Sequence, residues 1–203
     1  MKKLFLGAAI AMSSLSFAQQ FGIKAGANFS SISKDTWEDS KAKTGFHAGV
    51  FMNAPIAESF SIQPELLYSN LGAKTTYNAG NLGTATSTLN LNYITLPIMF
   101  QYNVVPSFYL EAGPEFGFLV SAKSKNTYTS AIASGSTTSD DIKDNFNSFN
   151  MGIGLGLGYN FTPNIGISGR YVAGLNDVTK NDAWGSDANN KSGAFQVGLN
   201  FKF

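Results

Sequence analysis

The feature that most constrains this chain is a period-two alternation of large apolar residues with small or polar ones, which recurs about eight times. Because successive side chains of a β-strand point to opposite faces, each alternating segment predicts a strand whose two faces meet different surroundings. The segments are Phe21–Phe29, Phe46–Met52, Phe60–Tyr68, Ile94–Tyr102, Phe108–Val120, Phe149–Phe161, Ile165–Tyr171 and Phe195–Phe203. The chain has no run of 18 apolar residues after residue 18, which excludes a helical membrane protein.

The first 18 residues have the pattern of a secretory signal. Two lysines follow Met1, an apolar stretch runs from Leu4 to Leu15, and Ser16 and Ala18 are the small residues of a cleavage site. The stretch is shorter than a spanning helix, so cleavage between Ala18 and Gln19 is favoured over a retained anchor. We expect residues 19–203 to form one domain.

The composition excludes several classes of function. Charged residues make up 13% of the chain, about half of the roughly 25% usual in soluble domains. The formal net charge of +1 gives no basic excess for nucleic acid. Cysteine is absent and His47 is the single histidine, so neither a thiolate site nor a histidine-rich metal site can form. We expect no cofactor.

The connections alternate in length, as in a transmembrane β-barrel. Long polar stretches cover residues 30–44, 70–88, 124–148 and 177–192, whereas short turns are predicted near Ala54-Pro55, 104–107 and 162–164. In such barrels the loops are external and the short turns periplasmic. Because the first connection is long, both termini are predicted to be periplasmic.

The placement of charge separates this barrel from a soluble barrel of the lipocalin type, which has the same periodicity. No charged residue falls on the apolar phase of a strand, six fall on the glycine-rich phase, and the rest lie in connections. A charge facing lipid costs about 2–4 kcal/mol at the bilayer midplane. The sequence therefore predicts an all-β, eight-stranded antiparallel up-and-down barrel in the outer membrane of a Gram-negative bacterium.

Four positions predict irregular strands. Pro64, Pro97 and Pro114 lack the N–H that a closed barrel would use, so we expect bulges or strand ends there. Leu91 has the opposite phase to the residues after it, which predicts a bulge or strand start near Tyr93.

Several motifs resemble a known family. They are YITLPIMFQY at 93–102, YLEAGPEFGFL at 109–119, GLGLGY at 154–159 and RYVAGLNDV at 170–178. The chain resembles the outer-membrane β-barrel domain of PorT-type porin-family proteins, which often have Glu at the position of Thr95 and Lys at that of Gln101. The terminal Phe203 resembles the signal read by the barrel-assembly machinery, which implies that partner during biogenesis. The family name implies an accessory role in a secretion or motility apparatus.

The residues that could form a catalytic or ligand-binding site are better explained by structural roles in a barrel. The glycines at 152, 154, 156 and 158 have strict period two and lack both the G-x-G-x-x-G spacing and a following helix, so they indicate a tight barrel interior. Asp140, Asp141 and Asp144 do not match a calcium loop and indicate a solvated acidic loop. A membrane-embedded protease that uses acidic residues with a histidine has ten strands, whereas this chain predicts eight. His47 is also predicted to lie deep below any loop aspartate, beyond the hydrogen-bond distance that a general base needs. We predict no catalytic, cofactor or metal residue.

Six charged residues are predicted to share the narrow lumen, where buried charges must be paired. They are Lys24, Glu65, Glu111, Glu115, Arg170 and Lys202. Arg170 is the only arginine, and its preferred partner is Glu111 or Glu115 on the fifth strand. The cluster is either a plug that keeps the barrel shut, since eight strands leave room only for side chains, or a gated ion path.

Four aromatic residues near the long connections are interfacial anchors or ligand contacts, and the aromatic girdles of such barrels favour the first interpretation. They are Trp37, Tyr77, Tyr128 and Trp184. Outer-membrane lipid and lipopolysaccharide are the expected surroundings, and a monomer is favoured.

The leading functional hypothesis is a non-enzymatic barrel with a filled lumen and long extracellular loops, serving envelope integrity or surface interaction. The alternatives are a small low-conductance porin and the accessory role named above.

Overall fold

The computed structural model describes residues 19–33, 40–78, 83–129, 136–180 and 190–203. Its strands are β1 (Gln20–Ser33), β2 (Ser40–Ala57), β3 (Phe60–Asn78), β4 (Thr84–Val105), β5 (Phe108–Thr129), β6 (Ser136–Asp141), β7 (Phe149–Asn160), β8 (Ile165–Gly174) and β9 (Lys191–Lys202). One turn of 3-10 helix spans Lys143–Asn145. Ala18, Trp37 and Trp184 lie outside the described residues, and with them the predicted signal segment.

Eight of the strands close into a ring, which confirms the predicted up-and-down barrel. Each pairs antiparallel with its neighbour in the order β1, β2, β3, β4, β5, β7, β8 and β9, and β9 pairs back to β1. The ninth strand, β6, pairs with β5 beyond the region where β5 pairs with β7. The described residues contain no helix that is long and apolar enough to cross a bilayer.

The outward face of the ring is apolar. Large hydrophobic side chains on alternate positions are exposed around it, among them Phe21, Val50, Leu66, Phe100, Leu110, Leu155, Tyr171 and Leu199. Aromatic pairs border this belt near both ends: Phe60 with Tyr102 at one end, and Phe118 with Phe149 towards the other. An exposed apolar belt of this extent is stable only against lipid, because it would aggregate in water.

The two ends of the barrel differ. One end, here called the terminal end, carries the start of β1, the end of β9 and the short connections at Glu58-Ser59, Pro106-Ser107 and 161–164. The turn predicted at Ala54-Pro55 therefore lies four residues too early, since β2 continues to Ala57. We call the opposite end the loop end.

Most of the polar stretches predicted as loops are strand. The described parts of 30–44, 70–88 and 124–148 are largely occupied by the ends of β1 to β5 and by β6, so the long-loop prediction is wrong over these residues. These ends are rich in Ser, Thr and Asn, whose hydrogen-bonding side chains suit a sheet in water. Outside lipid a strand does not need an apolar face, so the alternation that identifies strands disappears.

The predicted irregularities fall into two groups. The β4–β5 register shifts between Asn92 and Tyr93, as expected, but the extra residue is Val120 in β5, and β4 keeps its phase through Leu91. The expected bulges at Pro64, Pro97 and Pro114 are wrong, because β3, β4 and β5 run through them without a register shift there. A proline removes one N–H, which weakens one of its two ladders and leaves the other intact.

Candidate functional site

Glu65 is the centre of an ion-pair network inside the barrel. Lys24 Nζ on β1 donates to Glu65 Oε1 at 2.6 Å. Arg170 on β8 donates with both terminal nitrogens, Nη2 to Oε1 at 2.8 Å and Nη1 to Oε2 at 3.1 Å. Because β3 and β8 lie on opposite sides of the ring, this bidentate pair spans the interior.

A second glutamate completes the coordination of Arg170. Arg170 Nε donates to Glu111 Oε1 at 2.8 Å, and Gln101 Nε2 donates to the other carboxylate oxygen, Oε2, at 3.1 Å. The structure therefore brings Lys24, Glu65, Glu111 and Arg170 together as two acids and two bases. Glu111 is one of the two partners predicted for Arg170, and Glu65 takes the place of the other, Glu115.

Glu115 and Lys202 lie apart from these ion pairs. Glu115 is buried, and its Oε2 has no hydrogen-bond partner in the described part of the chain. Lys202 lies near the terminal end, opposite Gly22 of β1, and is only partly buried. Of the six predicted lumen charges, four thus form one compact network of balanced charge.

Amide side chains extend the network towards the terminal end. Asn53 Nδ2 donates to Gln101 Oε1 at 2.8 Å and, at 3.2 Å each, to Ser61 Oγ and Gln63 Oε1. Gln63 Nε2 donates in turn to Glu65 Oε1 at 2.8 Å. The interior on this side of Glu65 is therefore occupied by bonded side chains.

His47 lies in the interior on the loop-end side of Glu65. Its Nδ1 is 2.7 Å from Asn28 Oδ1, and Asn28 Nδ2 donates to the carbonyl oxygens of Phe46 and Asn70. The hydrogen-bond partner of the imidazole is thus an amide and not a carboxylate. Over the described residues, no group of three His, Asp or Glu side chains could hold a metal ion.

The glycines on the inward phase of β7 make room for large neighbours. A Cβ on Gly158 would lie 2.2 Å from Cζ of Tyr109, and one on Gly156 would lie 2.6 Å from the carbonyl oxygen of Gly169. A Cβ on Gly154 would lie 3.2 Å from Cδ of Arg170. The Gly-x-Gly pattern therefore reflects how tightly the interior is filled.

An apolar cluster, here called the cap, lies inside the barrel at the loop end. It consists of Leu91, Tyr93, Leu119, Ala122, Phe146 and Val178, all buried. The first four point inward from β4 and β5, whereas Phe146 and Val178 come from the segments after β6 and after β8. Ile32, Leu71, Leu89 and Ile142 pack around them.

Hydrogen bonds hold the two cap segments together. Phe146 and Thr179 form an isolated antiparallel bridge, and Asn147 N donates to Val178 O at 2.9 Å. Asn147 Nδ2 donates to the carbonyl oxygens of Asp177 and Thr179. Asn190 N donates to Asp177 Oδ1 at 3.0 Å, which attaches the start of β9 to the same segments.

Above the cap, four strands continue as a polar sheet, here called the raised sheet: residues 73–78, 84–90, 123–129 and 136–141. Its inner face continues from the cap, since Ala73 and Leu89 pair in the same phase as Leu71 and Leu91. The exposed lysines at 74, 123 and 125 are on the outer face. Tyr77 and Tyr128 are on the inner face, both paired with Ala85.

Several residues of this architecture escape sequence-based prediction. Lys43, assigned to a loop, is buried, with Nζ donating to Asn70 Oδ1 and to the carbonyl oxygen of Leu71. Phe146 and Val178 lie in polar stretches without alternation. The one signal for the cap in the sequence is Leu91, an apolar residue on the inward phase of β4, where the sequence alone predicts a bulge.

The barrel matches solved structures of bacterial outer-membrane proteins. Ail, the attachment invasion locus protein of Yersinia pestis, is 15% identical with a TM-score of 0.51, over 92% of this chain and 100% of Ail. Ail in complex with the heparin analogue sucrose octasulfate gives a TM-score of 0.50 at 15% identity, over 92% of this chain and 100% of that chain. Neisserial surface protein A is 16% identical with a TM-score of 0.51, over 90% of this chain and 97% of its own. At such identities the likeness shows the fold.

The family is shown by the sequence itself. Residues 17–180 match the model of the outer membrane protein beta-barrel domain, which is most of the chain. No protein with a curated description matches the chain. The chain belongs to the outer membrane protein beta-barrel domain family, and its location is the outer membrane.

Proposed function

We propose that this protein is a non-enzymatic surface-interaction protein whose raised sheet projects from the cell while its barrel stays shut. The loop end faces outside and both termini are periplasmic, the arrangement usual for outer-membrane barrels. The observation that carries the proposal is the raised sheet, because four strands continue well beyond the apolar belt as polar sequence, with Lys74, Thr129 and every residue of β6 exposed.

The interior supports a shut barrel. The network around Glu65 spans the ring, bonded amides fill the terminal side, and the cap covers the loop side. Water or ions would have to displace both an ion pair and a packed apolar cluster. The interior of an eight-stranded barrel is narrow enough for side chains to fill, and the network, the amides and the cap occupy it in this barrel.

The raised sheet has the features of a contact surface. Its last strand, β6, is exposed at every residue and pairs with β5 on one side. Among the described residues, the other edge of β6 has no partner strand, and such an edge can accept an added strand. Ail, which shares the fold, is named for attachment.

A low-conductance porin is the second candidate, favoured by the polar interior and by Oε2 of Glu115, which has no hydrogen-bond partner among the described residues. Conduction would require the cap to open.

The accessory role of PorT-type proteins rests on the motif resemblance alone, and a stoichiometric partner that co-purifies would support it.

The proposal is tested by shortening the raised sheet. Because Ala73 pairs with Leu89, and Ser124 with Asp140, residues 74–88 and 125–139 can each be replaced by Asn-Gly, a two-residue hairpin turn that preserves the register. Cells that produce this variant should attach less to surfaces and to one another than cells with the full chain. Equal attachment, at equal amounts of heat-modifiable barrel, would contradict the proposal.

A further inference from the structure

We infer that the inner face of the raised sheet binds a neutral glycan chain, with sugar rings stacked on Tyr77 and Tyr128. The inference rests on the proposed function, since it names the partner that the exposed sheet would contact. It starts from the positions of the two tyrosines, which the filled barrel and the cap do not explain.

The register places the two rings in one row across three strands. Tyr77 of β3 pairs with Ala85 of β4, and Ala85 pairs with Tyr128 of β5. Strands lie roughly 4.8 Å apart, so the tyrosines are about 10 Å apart on the same face. That is about the length of a disaccharide in an extended pyranose chain. The methyl group of Ala85 leaves space between the rings.

Their surroundings differ from those of a membrane anchor. Tyr128 lies ten positions beyond Phe118, the aromatic border of the belt on β5, or roughly 30 Å along the strand. Tyr77 lies beyond Thr75, where the described part of β2 begins to pair with β3. Both side chains are more than half exposed, on the face that continues the barrel interior. The interfacial interpretation of these two tyrosines therefore does not hold.

An exposed tyrosine ring above a polar row suits a sugar. The C–H face of a pyranose is weakly positive and packs on the negative face of an aromatic ring. The next row on the same face is Thr75, Ser87, Asn126 and Thr138. Thr75 is buried, whereas Ser87, Asn126 and Thr138 are accessible and offer hydroxyl and amide groups to sugar hydroxyls.

The charge distribution selects a neutral glycan. The lysines of the raised sheet, at 74, 123 and 125, project from the outer face. On the inner face, the charged side chain in the described rows is Asp140, paired with Ser124. Among the described residues of this face, a sulfated or phosphorylated chain would meet no cation beside the tyrosines, whereas a neutral chain needs none.

The test measures binding of defined oligosaccharides to the full chain in detergent micelles. The probes are neutral linear hexasaccharides of glucose, xylose and mannose, with sucrose octasulfate as the anionic comparison, and the readout is isothermal titration calorimetry. The Tyr77→Ala/Tyr128→Ala variant removes both rings. Tyr77→Phe/Tyr128→Phe keeps them, and Lys74→Ala/Lys125→Ala alters only the outer face. A heat-modifiable gel shift establishes that every variant is folded.

We expect at least one neutral hexasaccharide to bind the full chain. Its affinity should fall about tenfold or more in the double alanine variant, because that variant loses both ring contacts. Affinity should persist in the phenylalanine and lysine variants. Three results would each overturn the inference: no neutral hexasaccharide binds, the double alanine variant binds equally well, or only sucrose octasulfate binds.

The result is separable from the proposed function. If shortening the raised sheet abolishes attachment while the double alanine variant attaches normally, the sheet has another partner and the glycan inference fails alone. If shortening changes nothing, the proposed function itself fails.

Discussion

Glu65 and Arg170, 105 positions apart in the chain, form a bidentate ion pair across the barrel interior at 2.8 and 3.1 Å. Both side chains are buried, and each has a further partner of opposite charge, Lys24 for Glu65 and Glu111 for Arg170. A buried pair of this kind contributes little relative to a packed apolar substitute, but removing one member leaves an uncompensated charge. The pair therefore fixes the relative positions of opposite strands.

Arg170→Met should destabilise the barrel strongly, because it leaves Glu65 and Glu111 facing each other with only Lys24 to balance them. The expected loss is about 3–5 kcal/mol in the free energy of unfolding, measured by urea titration in lipid vesicles. Arg170→Lys keeps the charge and should lose less. Unchanged unfolding of Arg170→Met would show that the network does not contribute to stability.

Gly158→Ala should destabilise the barrel because its Cβ would overlap the ring of Tyr109. Overpacking of this kind costs about 1–3 kcal/mol. Gly169→Ala is the matched control, since a Cβ there would meet nothing within 4 Å. Urea titration should separate the two variants, and equal stability would mean that the interior has space to spare.

Leu155→Arg should be costly because this exposed side chain points outward from β7 in the middle of the apolar belt. An arginine facing the bilayer midplane costs about 2–4 kcal/mol. Thr137→Arg, on the exposed β6, should have no comparable effect on vesicle unfolding. If Leu155→Arg were neutral in lipid, the outward face would not be the membrane face.

Single cysteines can establish which end of the barrel faces outside, because the natural chain contains none. Thr137→Cys on β6 should react on whole cells with a membrane-impermeant maleimide. Glu58→Cys, in the turn between β2 and β3, should react only after the cells are broken. The opposite pattern would place the raised sheet in the periplasm and remove the basis for surface interaction.

The sequence predicts the ring well because lipid imposes a simple rule on it. On β7, Leu155 and its alternate neighbours face lipid and must be apolar, whereas Gly156 and its alternate neighbours face the filled interior and must be small. The membrane part of each strand can therefore be recognised from the alternation in its sequence. The phase also places Glu65 and Arg170 inside. It does not place them at one level, because that depends on the tilt and register of strands far apart in the chain.

The loop end is poorly predicted because strands outside the bilayer do not need to alternate apolar and small residues. The Ser/Thr-rich strand β6 has no alternation, so its sequence is typical of a loop. Leu91 points inward to the cap with Phe146, and an inward apolar residue is indistinguishable in sequence from a change of strand phase. The prolines mislead for a different reason, since each affects one hydrogen bond of a ladder that many others maintain.

Closure of the barrel is the central claim, and planar-bilayer recording of the purified full chain tests it most directly. The ion-pair network and the cap predict a silent membrane, with no discrete current steps from the natural protein. Reproducible steps from the natural protein that disappear in Arg170→Ala or Glu115→Ala would contradict the claim and establish an ion path through the interior.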